Sequence, residues 1–193
     1  MGRTSRKRWL TGAFVTLLFF VAAGFVALRV LEARIAHSFK TPQIADSPQR
    51  KTEPLADYDF KYSSLDGRVH HLSELHGRAV FVNFWGTWCI RCVAEMPTIQ
   101  KLYDSLKSDP SVAFVIASRL DTPARVRLYA RSGRYDLPFY TVEDSDIPQS
   151  LQFNQYPTTL IFAKDGSLAE TQVGGADWSA PSVVASIRRL ENE

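Results

Sequence analysis

Hydrophobic positions fall first into one long unbroken run, then thin out, then return as short runs of alternating period. From Trp9 to Leu28 twenty residues pass without a charge, WLTGAFVTLLFFVAAGFVAL. At about 1.5 Å per helical residue this run spans about 30 Å, the thickness of a bilayer core. Leu31, Ile35 and Phe39 then recur every four residues, which extends the helix to about Lys40, where Pro42 stops it. Residues 41–56, TPQIADSPQRKTEPLA, carry three prolines and little apolar content, and read as a spacer.

The folded part begins near Asp57. Tyr58 to Tyr62 and Arg68 to His71 flank an Asp66-Gly67 turn, a β-hairpin signal. LSELHG, with Ser73 as cap, predicts a short helical turn. Ala79 to Trp85 (AVFVNFW) and Val112 to Ala117 (VAFVIA) are continuous apolar runs of buried-strand length. Between them Val93, Met96, Ile99, Leu102 and Leu106 fall at helical spacing. A helix over Thr122 to Arg134, a strand over Phe139 to Val142 and a polar helix over Asp146 to Phe153 follow. Thr158 to Ala163 and Leu168 to Val173 form a second hairpin around Lys164-Asp165-Gly166-Ser167. Pro181 opens a last helix whose apolar face is Val183, Val184, Ile187 and Leu190. Strands alternating with helices predict an α/β fold, a mixed sheet with helices on both faces.

Charge is divided unevenly. Residues 1–40 carry seven Lys/Arg and one acid, whereas 41–193 are net −3. The basicity belongs to the N-terminus, which argues against nucleic acid as a partner. Arg3, Arg6, Lys7 and Arg8 crowd the near side of the apolar run, so the positive-inside rule keeps residues 1–8 in the cytoplasm. Residues 9–28 then cross the bilayer as a single-pass anchor, and the long C-terminal part lies outside, in a periplasm or its equivalent. A cleaved signal peptide would have a core of about 7–15 residues with a small-x-small site just beyond it. Ala36 and Ser38 could serve as that site but lie about ten residues downstream, so an uncleaved anchor is the expectation and a cleaved signal peptide its rival.

The two cysteines, Cys89 and Cys92, are separated by two residues, too close to staple a domain of this size. They sit where a buried strand passes into a helix. A thiol at a helix N-terminus meets unpaired backbone N–H groups and the positive end of the dipole, which favour the reactive thiolate. A second thiol one turn on is within reach to resolve a mixed disulfide. A zinc site needs four ligands, and no second Cys-x-x-Cys exists. His70 and His71, adjacent on a strand, point to opposite faces, and with His76 they read as surface residues. No metal and no cofactor is expected.

Phe81-Val82-Asn83-Phe84-Trp85-Gly86-Thr87-Trp88-Cys89 resembles the active-site strand of membrane-anchored thioredoxin-like proteins of the ResA and TlpA kind. Glu95 fits the C-x-x-C-x-x-E pattern of that group, and Pro97 the proline that kinks the thioredoxin active-site helix. Phe153 to Thr159 aligns with the segment around the thioredoxin cis-proline. The resemblance covers roughly 57–193 and implies a thioredoxin-like fold with an N-terminal β-hairpin and an inserted helix, preceded by one transmembrane helix. It further implies that Cys89 is the nucleophile, Cys92 the resolving thiol, and Pro157 a cis residue against their disulfide. Tyr156 would offer its backbone to a substrate strand, Trp88 would partly cover the thiols, and Glu95 would tune or shuttle protons. The implied activity is reduction of disulfides in client proteins, apocytochrome c among them, fed by a membrane thiol donor. Two departures matter. Asn83 replaces the buried Asp of thioredoxins, and Ile90-Arg91 lacks the proline common between the cysteines. Arg91 adds positive charge beside a thiolate, which leaves a disulfide oxidase or isomerase open as an alternative. A metallochaperone or redox sensor without turnover is the alternative from another class.

Overall fold

The computed structural model describes residues 3–44, 59–151 and 154–190. Most of the expected spacer, the start of the first hairpin at Asp57 and Tyr58, and Phe153 lie outside the described residues.

The N-terminal helix α1 (Arg3–His37) is longer than the apolar run, beginning within the basic stretch. Its window Thr16–Ile35 has mean hydropathy 1.9 and is long and apolar enough to cross a membrane. Phe19, Phe20 and Phe25 are exposed on it. Near its C-terminal end Arg29, Glu32 and Ala33 meet the domain, where they line a cavity of about 320 Å³.

Seven strands form one mixed sheet: β1 (Lys61–Ser64), β2 (Val69–His71), β3 (Ala79–Trp85), β4 (Val112–Arg119), β5 (Phe139–Val142), β6 (Thr158–Phe162) and β7 (Leu168–Val173). Their spatial order is β2-β1-β5-β4-β3-β6-β7. The middle trio β5, β4 and β3 is parallel, and every other pairing is antiparallel. Three helices complete the domain: α2 (Ile90–Leu106), α3 (Pro123–Gly133) and α4 (Pro181–Leu190).

The sheet's period of two sorts the core. Phe81 and Trp85 of β3, with Phe114 and Ile116 of β4, face one side, and Val80, Val82, Phe84 and Val115 face the other. The crossovers β3–α2–β4 and β4–α3–β5 step in the same direction across the sheet. Right-handed connection therefore puts α2 and α3 on one face. Met96, Ile99 and Leu102 of α2, Val126 of α3 and Val183, Ile187 and Leu190 of α4 accordingly share a cluster with Phe81 and Trp85. The opposite cluster is closed by Phe60, by Leu72 of a 3-10 helix, and by Ile147 and Leu151.

Several boundaries differ from expectation. Ser73 does not cap the turn after β2. The 3-10 helix Leu72–Leu75 starts after His71, and the Ser73 backbone N–H donates to Asp59 Oδ1 at 3.0 Å. The polar helix expected over Asp146 to Phe153 is instead two single 3-10 turns, Asp144–Asp146 and Gln149–Leu151. Pro148 between them lacks the N–H that a continuing helix needs. The spacer's first residues are not free chain. Pro42 and Ile44 are buried, and Ile44 belongs to the core cluster that also holds Met96, Ile99 and Leu102 of α2.

Candidate active site

The sheet delivers the cysteines. All seven residues of β3 are buried, so the strand is fixed on both faces and ends at Trp85. Gly86 follows, and the next turn folds the Trp88 ring back over it. A Cβ at Gly86 would lie 2.5 Å from Trp88 Nε1, so no larger residue fits without moving the indole. Asp121, at the end of β4, fastens the turn. Its Oδ2 accepts from the Thr87 backbone N–H and the Ser118 hydroxyl, and its Oδ1 from the Thr87 hydroxyl, each at 2.7 Å. Trp88 Nε1 donates to the Arg119 carbonyl at 3.3 Å.

Cys89 is the N-cap of α2, with extended backbone, and its Sγ accepts from the Cys92 backbone N–H at 3.2 Å. A cap position meets the unpaired N–H groups of the first turn, which stabilise negative charge on sulfur. The pair is closed as a disulfide with the Cα atoms 5.2 Å apart. Cys89 keeps 8% of its surface exposed and Cys92 none. Arg91 and Ile90 between them are exposed. Pro97 lies within α2, as the sequence implies.

Glu95 is one turn beyond Cys92 and fully buried. Asn83 Nδ2 donates to its Oε1 at 3.0 Å. The Ala176 backbone N–H and the Trp178 indole N–H donate to its Oε2 at 3.1 and 3.3 Å. Burial pushes the Glu95 carboxyl up to about 7, against the pull of these three donors. A carboxyl at that value exchanges protons near neutrality.

The peptide bond Tyr156-Pro157 is cis. Pro157 is buried and its carbonyl accepts from Gly174 N–H at 2.8 Å. Tyr156 packs edge-on against Trp88, ring centroids 5.1 Å apart, and lies under the Arg119 guanidinium at 5.3 Å. Arg119 is also paired with Asp144 at 2.6 Å. Trp88 stays 47% exposed, so with Tyr156 it forms an open aromatic surface beside the disulfide's helix. Of the six expected residues, Cys89, Cys92 and Glu95 stand at the start of α2 and within it, while Trp88, Tyr156 and Pro157 are linked to one another by the Trp88–Tyr156 ring contact and the cis peptide bond.

The Redoxin family model matches residues 50–187. The chain belongs to the Redoxin family. It is similar to the thiol-disulfide oxidoreductase ResA of a Bacillus cereus strain, 32% identical over 118 residues, 60% of this chain and 66%, just under two thirds, of that protein. To ResA of Halalkalibacterium halodurans it is 29% identical over 150 residues, 77% of this chain and 83% of the relative. The fold of StoA from Bacillus subtilis matches with a TM-score of 0.55 at 20% identity, over 72% of this chain and all of that one. With a disulfide-bonded Cys-x-x-Cys on this frame, the redoxin chain carries the cysteine pair that thiol–disulfide exchange requires.

Three contributors to this redoxin site were not foreseen. Asp121 sits between β4 and α3, where it reads as an ordinary pre-helix acid. Arg119 reads as the polar end of a strand. Trp178 gives no local signal, because its partner Glu95 is 83 residues away. The histidines stay apart from the site. His70 stacks on Tyr62 at 5.5 Å and His71 Nδ1 lies 3.3 Å from Asp59. Among the described residues no group of three His, Cys, Asp or Glu stands close enough to hold a metal.

Proposed function

We propose that this redoxin reduces disulfides of client proteins outside the cytoplasm, held to the bilayer by α1. The observation that carries the reading is the asymmetry of the thiols: Cys92 is wholly buried one turn from a buried carboxyl, while Cys89 keeps some exposure at a helix N-terminus. In the reduced enzyme the Cys89 thiolate attacks one sulfur of a client disulfide. A mixed disulfide forms and the client's other sulfur leaves as a thiolate. Cys92 then passes its proton to the Glu95 carboxylate and attacks Cys89 Sγ, releasing the second client sulfur. The enzyme ends as the Cys89–Cys92 disulfide, and the client has gained two electrons and takes up two protons. Resetting needs two electrons from a dithiol. Outside the cytoplasm a membrane thiol donor is the class that supplies them. The exposed Trp88 and Tyr156 wall suits a polypeptide client, such as an apocytochrome c with a Cys-x-x-Cys pair, better than a small molecule.

The layout follows from charge. Residues 1–8 remain inside, 9–28 cross, 29–56 join, and 57–193 form the thioredoxin-like domain. A span shifted to Thr16–Ile35 would put Arg29, Glu32 and Arg34 within the bilayer, and charges there are costly. Arg29 and Glu32 also line a cavity with Val93 and Tyr129 of the domain, which favours the earlier span.

The deciding experiment equilibrates the full chain in detergent with glutathione or dithiothreitol buffers and reads the Cys89–Cys92 potential. A value near the roughly −270 mV of thioredoxin supports a reductase. A value near the roughly −120 mV of a strong oxidant overturns it in favour of disulfide donation, the outcome toward which exposed Arg91 would push.

A further inference from the structure

Trp178 looks at first like core. It is fully buried and stands edge-on to Phe81, centroids 4.9 Å apart at 88°. A Phe would supply that packing equally well, but a buried indole N–H also needs an acceptor. Here the acceptor is Glu95 Oε2. The turn carrying Trp178 is clasped to α2 at a second point, since the Trp178 backbone N–H donates to Thr98 Oγ1 at 3.2 Å and that hydroxyl donates to the Glu95 carbonyl at 2.8 Å. It is held from outside as well. The Asp177 N–H donates to the Lys40 carbonyl at 3.1 Å, and the Phe39 ring lies so close over Gly175 that an added Cβ would collide with it. Glu95 Oε2 therefore receives two donors from one rigid turn.

We propose that Trp178 is a positioning residue: its indole N–H, beside the Ala176 amide, fixes the Glu95 carboxylate for proton exchange with Cys92. This rests on the reading of Glu95 as the proton acceptor. The groups facing Glu95 leave the assignment clean. Asn83 from β3, which also donates to Thr159 of β6, does not titrate, and Cys92 is the thiol one turn back on α2. Asp177, the acid of the turn, directs its Oδ1 to the Ser179 N–H and hydroxyl. Donors to a carboxylate stabilise its charged form, so losing one moves its titration upward.

The test uses the full chain in detergent micelles, with Trp178→Phe and with 3-benzothienylalanine placed at 178, which keeps the indole shape without the N–H. The infrared band of the Glu95 carboxyl, assigned by its loss in Glu95→Gln, is titrated in each. The pH profile of thiol alkylation in the reduced protein is recorded beside it. The expected result is an upward move of the Glu95 midpoint by about one pH unit in both variants, with the alkylation inflection moving alongside. If the midpoint stays in place in whichever of the two folds, the proposal is overturned, while an inflection erased by Glu95→Gln still supports the role of Glu95. If Glu95→Gln leaves the alkylation profile unchanged, the proton-acceptor reading falls and the proposal falls with it.

Discussion

Asn83 Nδ2 lies 3.0 Å from Glu95 Oε1 and 2.9 Å from Thr159 Oγ1, so one amide in the central strand ties the redox helix to the strand that follows the cis proline. The same position in thioredoxins is an aspartate that titrates. Here the strand supplies a donor instead, and the titrating group has moved to the helix. On the proposed reading the buried base then comes from the element that carries both sulfurs, and the sheet contributes fixed dipoles.

Replacing Asn83 by Asp converts a donor into a second carboxyl about 3 Å from the first. Two buried carboxyls that close cannot both ionise at neutral pH, so they share a proton and titrate as a pair. The single carboxyl titration of Glu95 near pH 7, read from its infrared band, should divide into two apparent steps, the upper one at least about one unit higher. An unchanged single step would mean that the two side chains do not face one another in solution.

Glu95 also makes stability depend on pH in a direction unusual for a carboxylate. Its folded value is raised from 4.5 to about 7, so the folded state binds the proton more tightly than the unfolded chain. The associated stability is fully present below about pH 4.5 and is lost as pH rises through about 7. The loss is on the order of 3 kcal/mol. Denaturant midpoints of the oxidised protein should fall between about pH 5 and pH 8, and Glu95→Gln should flatten that trend. A wild-type midpoint rising over the same interval would contradict the burial argument.

What was legible in the sequence is what local pattern determines. The seven apolar residues of β3, the helix opening at Cys89 and the hairpin around Gly166 are all short-range signals. Glu95 is marked by the resemblance to the C-x-x-C-x-x-E pattern, and its spacing from Cys92 sets it one turn along on the same side of the helix. The two 3-10 turns at 144–151 read as one helix because their polar residues carry no period. Ile44 reads as part of a spacer because no apolar run or period surrounds it, although one isoleucine is enough to reach a core. Trp178 and Asp121 were invisible for a stronger reason. Their meaning lies in partners 83 and 34 residues away, which only the folded sheet brings together.

Asp121 gives a sharp local test. Its carboxylate is fully enclosed and satisfies two hydroxyls and one backbone N–H around the Gly86-Thr87-Trp88 turn. Asp121→Ala leaves those donors unpaired, at a cost of about 2–3 kcal/mol. The thermal midpoint should drop accordingly, and the Thr87 amide should exchange with solvent much faster while amides in β3 keep their protection. If Thr87 exchange is unaltered, the turn is held by something other than Asp121.

The last prediction separates a spacer from a structural strap. Ile44 keeps 8% of its surface exposed and packs in the cluster that holds Trp178 and Ala176, while Gln43 beside it is exposed. If residues 39–44 are part of the domain, Ile44→Ala removes buried methyl groups from a packed core and costs about 2–4 kcal/mol. Gln43→Ala should cost nothing measurable. Because the same segment bonds the turn that presents Trp178 to Glu95, the destabilised variant should also show a higher Glu95 midpoint. Equal stability in the two variants would return the segment to the role of a spacer. A loss confined to Ile44→Ala means that the segment following α1 ends in the core, and that the domain cannot be cut free at residue 45 without disturbing the turn that presents Trp178 to Glu95.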